Sequence, residues 1–129
     1  MNILIDTHIA LWSMYRDSKL DEHAVSILSD NNNIIFVSLV SAWEIALKTS
    51  IGKLNIPADG FMDDCKSMGF HLLPMKENHI TAFQVLPPGP DGHKDPFDRL
   101  LIAQAQSEEM KFLTMDRKIL SYANTAILR

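Results

Sequence analysis

Four short apolar runs, each handing over to a helical stretch, most restrict what this chain can fold into: NILID (residues 2–6), IIFVS (34–38), FHLLPM (70–75) and KFLTM (111–115). Short runs with little polar alternation are strands buried on both faces. The stretches between them carry apolar residues at helical spacing together with helix punctuation. Asp6 or Thr7 can cap HIALWSMY, in which Ile9, Leu11, Trp12 and Tyr15 are packing residues. Residues 21–30 give a second helix, closed by the turn Asn31-Asn32-Asn33. Ser38 caps a helix over about 39–51 that stops at Gly52. Pro57 opens ADGFMDDCKSM, and ENHITAFQV follows the third run. Asp95-Pro96 starts FDRLLIAQAQSEEM, with proline at the first helical position. A short helix runs from Asp116 to Tyr122, and TAIL near the C-terminus reads as a fifth, edge strand. Strands alternating with helices predict an α/β fold, a parallel sheet with helices on both faces.

The 129 residues fit one domain, 1–129. A chain of this size buries about two thirds of its unfolded surface and needs no disulfide staple. Cys65 is the only cysteine, so no internal bridge forms, which favours a reducing, cytoplasmic setting. MNILIDTH meets an acid too early for a signal peptide, and no stretch approaches the roughly 18 apolar residues of a membrane span. The formal charge is −4, from 12 basic and 16 acidic side chains. That argues against a nucleic-acid partner only until the charges are placed.

Four of the acids, Asp6, Glu44, Asp98 and Asp116, stand where strands give way to helices. In parallel sheets, ligands bind outside the carboxyl ends of the strands, and all four side chains can reach that crevice. Each also has a plainer reading. Asp6 and Asp116 can cap the helices after them. Glu44 stands at capping-box spacing from Ser41, and Asp98 can favour a helix dipole three residues after Asp95. Asp95 is best read as the cap, with metal binding the minority option. Singly these readings suffice. Together they leave unexplained why acids gather at one rim, where they repel unless a cation sits among them. Hard oxygen ligands suit Mg²⁺ or Mn²⁺ rather than zinc, and such sites commonly meet phosphate oxygens. Without these four acids the formal charge is zero, and Lys48, Lys53, Lys94, Arg99, Arg117 and Lys118 all lie near them in sequence.

Lys48 shares a helical face with Glu44, either to contact a phosphate backbone or as a surface pair of small value. Arg99 and Lys94 flank Asp98 and can contact phosphate, or Arg99 can pair with a local acid. The five histidines show no metal-ligand spacing with one another or with Cys65, and they read as structural. Trp12 and Trp43 read as packing residues of the core or of a dimer, and the seven methionines as gap fillers.

The segments LIDTHIALW, SAWEIALKTSIGKL, DPFDRLLIAQA and FLTMD, in this order, resemble the PIN-domain ribonucleases, and more closely their VapC-like toxin branch from toxin–antitoxin pairs. The resemblance covers nearly the whole chain. It implies a three-layer sandwich with a central parallel sheet of order 3-2-1-4-5. It implies Mg²⁺-dependent endonucleolytic cleavage of RNA, a homodimer, and an antitoxin whose C-terminal segment enters the active-site groove. The metal-site acids of the family match Asp6, Glu44, Asp98 and Asp116, with Asp6 and Asp98 as principal ligands. Thr7 matches a hydroxyl common beside the first acid, and Thr114 one that often precedes the last. Thr7, Lys48, Arg99 and Thr114 are the expected substrate-side residues, and loop 86–95 the expected specificity loop. Two rival readings carry different chemistry. A receiver-like signalling domain needs adjacent acids after the first strand and a lysine after the last, but Thr7 and His8 follow Asp6 and no such lysine is present. A non-catalytic PIN-like RNA-binding or interaction module would tolerate a degenerate acid set, whereas all four acids are intact.

Overall fold

The computed structural model describes residues 1–129. Strands β1 (Asn2–Ile5), β2 (Ile34–Ser38), β3 (His71–Leu73) and β4 (Lys111–Leu113) form one sheet of order β3-β2-β1-β4, parallel throughout. Around it lie α1 (Thr7–Met14), α2 (Glu22–Ser29), α3 (Leu39–Ser50), α4 (Ala58–Ser67), α5 (Glu77–Val85), α6 (Pro96–Ser107) and α7 (Arg117–Leu120).

The expected fifth strand is reduced to one bridge, Phe112 to Ile127. Phe112 donates its N–H to Ala126 O and accepts from Leu128 N, at 2.7 and 2.9 Å. Those bonds cover the outer edge of β4, but Asn124 turns the chain by accepting from Ala126 N at 2.9 Å, so TAIL has no length left to pair. A four-stranded sheet results.

Side-chain alternation along the strands divides the core. Ile3 and Ile5 face one side with Ile35, Val37 and Leu113, where they meet Ile9 of α1, Ala24 of α2, Ile45 of α3 and Phe61 and Cys65 of α4. Leu4, Leu73 and Phe112 face the other, against Leu101, Ile102 and Ala105 of α6 and Ile119 of α7. A period of two on a doubly covered sheet makes the buried stretch of each strand apolar on both faces, with polar residues only at the strand ends. Phe61 is essentially inaccessible, so Phe61→Ala costs about 3–5 kcal/mol. No helix is long and apolar enough to cross a membrane.

A buried polar chain ties the two layers together. Ser38 caps α3 by accepting from Val40 N at 2.9 Å, and its hydroxyl donates to Gln104 Oε1 of α6 at 2.5 Å. Gln104 Nε2 lies 3.1 Å from His79 Nδ1, and His79 Nε2 lies 2.7 Å from Glu108 Oε2. The His79 contact holds the Glu108 carboxyl below its ordinary range, helped by Lys76. No buried side-chain polar atom lacks a partner.

The strand order sets where a site can form. From β1 the chain moves outward through β2 and β3, then returns to place β4 on the other side of β1. The crevice at the carboxyl ends of β1 and β4 is therefore the topological switch point.

Candidate active site

Asp6 follows β1 directly and caps α1. Its Oδ1 accepts from Ile9 N at 2.9 Å, and its Oδ2 accepts from the Thr114 hydroxyl. The capping reading of the sequence is thus correct, yet it does not exhaust the residue. Asp6 is buried, and burial raises its pKa against the lowering effect of the two donors. Thr114, the residue after β4, takes both sides of the switch point in hand, since its Oγ1 also accepts from Asp116 N at 3.0 Å. Asp116 then caps α7, accepting from Lys118 N at 2.9 Å.

Glu44 lies in the second turn of α3, past the strand-to-helix junction at which the sequence placed it, and it is buried. Its Oε1 lies 2.7 Å from the Thr7 hydroxyl, which is also 2.9 Å from Ser41 Oγ. Its Oε2 accepts from Lys48 Nζ at 2.8 Å. Ser41 therefore serves Glu44 through Thr7 and is not the cap of a box.

Asp98 stands on the first turn of α6. Its N–H donates to the Asp95 cap at 3.0 Å, and its Oδ2 lies 3.2 Å from His93 Nε2. Desolvation, followed by repulsion from Asp95, Asp116, Glu44 and Asp6, pushes the Asp98 carboxyl up to about 7. That list of repelling neighbours is the clearest measure that the acids share one field.

A pocket of about 350 Å³ joins them. It is lined by Asp6, Thr7, His8, Glu44, Lys48, His93, Asp95, Asp98, Asp116 and Lys118, without one apolar residue. Lys48 and Thr7 line it as expected. Thr114 reaches it through Asp6. Arg99 does not line it, because its guanidinium donates to Leu86 O, Pro87 O and the Tyr122 hydroxyl at 3.1–3.2 Å. His8 and His93 were read as structural and are lining residues. The available signal for His93 was its place in the loop, five residues before Asp98.

As the side chains stand, no three acids or histidines converge closely enough to hold one ion between them. The reason is visible in their partners. Both oxygens of Asp6 and both of Glu44 point to protein donors, and like charges spread apart. The donor set nevertheless fits a hard divalent cation: four carboxylates at one polar pocket, one of them with its charged form strongly disfavoured. Binding requires side-chain rotation, chiefly exchange of Lys48 or Thr7 for the ion at Glu44.

Acids that close a parallel sheet at its switch point agree with the sequence comparison, in which the PIN domain model matches residues 3–124. The chain belongs to the PIN domain family. A search of curated proteins returned no sequence match. Among solved structures, this PIN domain is similar to a chain of VapBC2 from Rickettsia felis bound to a promoter DNA fragment, with a TM-score of 0.65, 13% identity, and 99% of this chain and 96% of that chain covered. It is similar to a chain of a toxin–antitoxin complex from Klebsiella pneumoniae, with a TM-score of 0.64, 15% identity, and coverage of 98% and 96%. A chain of FitAcB from Neisseria gonorrhoeae gives 0.58 at 17% identity, covering 91% of this chain and 89% of its own. At these identities the likeness is one of fold.

Proposed function

We propose that this PIN domain is a divalent-metal-dependent endoribonuclease and the toxin of a toxin–antitoxin pair. The observation that carries the reading is the pocket itself, with Asp6, Glu44, Asp98 and Asp116 brought from four separate stretches of chain to one polar crevice. Asp6 and Asp98 are the principal ligands of Mg²⁺ or Mn²⁺, and Glu44 and Asp116 complete the set directly or through water. When bound, the ion supplies Lewis-acid polarisation of a phosphodiester and a lowered pKa for water.

The chain's own residues do the rest. Thr114 orients Asp6, and Thr7 orients Glu44. The Lys48 ammonium, 2.8 Å from Glu44, is placed to leave that carboxylate and meet a phosphate oxygen. Lys118 adds a second cation at the rim. Asp116 is the better general base, because its Oδ2 accepts from no protein group, whereas the Thr7 hydroxyl holds Glu44 even after Lys48 leaves. The attacking water's oxygen forms a bond to phosphorus, its proton passes to Asp116, and the bond to the leaving oxygen breaks. The leaving oxygen takes a proton from solvent.

The matched structures come from toxin–antitoxin complexes, which supports an antitoxin as partner. Trp43, Leu47 and Ile51 form an exposed apolar stripe along α3, with Trp43 56% exposed, which supports a homodimer. The test is expression of the chain alone, with Asp6→Asn as control, and incubation of purified protein with RNA. Growth arrest and EDTA-sensitive cleavage by the wild type only are expected. Cleavage by Asp6→Asn at the wild-type rate overturns the assignment.

A further inference from the structure

Against the acidic pocket lies a second cleft, of about 280 Å³, between the end of α5 and loop 86–95. Phe83, Pro88, Gly92, His93, Lys94 and Arg99 shape it. The cleft is built and not incidental. Arg99 straps the loop to α6 through Leu86 O and Pro87 O, and its guanidinium lies 6.0 Å from the Phe83 ring and 5.9 Å from the Tyr122 ring. His93 Nδ1 lies 2.8 Å from the same Tyr122 hydroxyl. Gly89 lets the backbone lie flat on Tyr122, because a side chain there would collide with that hydroxyl and with His93 O.

Three features select an occupant. The half-buried Phe83 ring lines the cleft, and unpaired RNA bases stack on aromatic rings. Gly92, exposed at φ +71° with nothing within 4 Å of where a Cβ would stand, keeps the loop side of the cleft open. The exposed Lys94 supplies a cation for the flanking phosphate. Position then fixes register. His93 walls both pockets, and its Nε2 lies 3.2 Å from Asp98 Oδ2. A strand with its phosphodiester at the acids therefore brings the adjoining nucleotide to this cleft.

We propose that the cleft is a nucleobase subsite, which holds the base of a nucleotide next to the scissile phosphate of single-stranded RNA, and that loop 86–95 sets which base is preferred. The inference rests on the ribonuclease reading of the acidic pocket. Arg99 acts in it as a positioning residue for the loop, not as a phosphate contact.

The probe is a short oligoribonucleotide series with 2-aminopurine at successive positions around the wild-type cut, bound in EDTA so that it stays intact. Fluorescence quenched at one position beside the cut is the expected result. Pro88→Leu, which crowds the cleft from an exposed position without adding a stacking ring, removes that quench, lowers kcat/KM on the preferred sequence about tenfold and flattens the base preference. Asp98→Asn abolishes cleavage yet keeps the quench. Thermal melts confirm that both variants fold. No quench at any position, or a Pro88→Leu protein with wild-type quench and preference, overturns the subsite alone. A wild type that cuts no RNA in Mg²⁺ overturns the ribonuclease reading and the subsite with it.

Discussion

Replacing Asp98 by asparagine should stabilise the metal-free protein, and only at neutral and higher pH. The Asp98 carboxyl is pushed from 3.8 up to about 7 by desolvation and by its acidic neighbours. A shift of about three units corresponds to about 4 kcal/mol at 1.36 kcal/mol per unit. The side chain is 21% exposed, so solvent screens part of this, and about 2 kcal/mol is the working figure. The sign follows from proton counting. Between pH 4 and 7 the folded chain holds a proton on Asp98 that the unfolded chain has lost, so stability falls as pH rises through that window. Above it the full cost is present, and below it the cost vanishes. Asp98→Asn removes the charge and can keep the contacts of Asp98 to Asp95 and His93. At about 3–5 °C per kcal/mol for a domain of this size, Tm should rise by roughly 6–10 °C at pH 8 and hardly at pH 4. Circular dichroism melts in EDTA across that range measure both. A variant that melts lower than wild type at pH 8, or that gains equally at both ends, refutes the claim that the acids repel one another in a shared pocket.

Other perturbations separate site from scaffold. Asp6→Asn keeps an N-cap side chain, so its melting temperature should stay near wild type while RNA cleavage falls at least about a hundredfold in a gel assay. Thr114→Val leaves Asp6 Oδ2 and Asp116 N without their shared partner, which should cost about 1–3 kcal/mol in urea melts and also slow cleavage. Lys48→Ala breaks a part-exposed pair worth under about 1 kcal/mol, so stability barely changes, while cleavage weakens and loses some of its salt dependence. Glu108→Gln should destabilise at neutral pH, where the carboxylate is engaged by His79 and Lys76. The difference should close as pH falls through the lowered range of this carboxyl, because a depressed carboxyl loses its contribution on protonation.

The layers were legible because strand burial is written in composition. β1, β2 and β4 are apolar apart from one terminal residue each, and the caps Asp6, Ser38 and Asp95 mark helix starts within a residue. Asp6 and Asp116 were legible because they sit at strand-to-helix junctions, whereas Glu44 lies in the second turn of α3 and Asp98 on α6 after a loop that follows α5, so only the fold brings those two to the same crevice. Other features depend on contacts across the fold. Residues 125–128 look like a strand, but the Asn124 turn leaves them only a bridge to Phe112. Arg99 looks like a phosphate contact beside Asp98, but the helix turns it toward Tyr122 and the loop carbonyls. Gln104 of α6 is polar yet buried, because Ser38 and His79 satisfy its amide. His93 carries no spacing signal and reaches Asp98 only through loop closure on Tyr122.

The claim beneath all of this is that the gathered acids exist to receive a cation. Titration calorimetry with Mn²⁺ or Mg²⁺ near pH 6.5, repeated in buffers of different ionisation enthalpy, tests it most directly. The account predicts saturable binding with release of a proton, because Asp98 is partly protonated until the ion arrives. It also predicts that Asp98→Asn loses both. Heats no larger than dilution, or wild-type binding that persists in Asp98→Asn with no proton released, would contradict it.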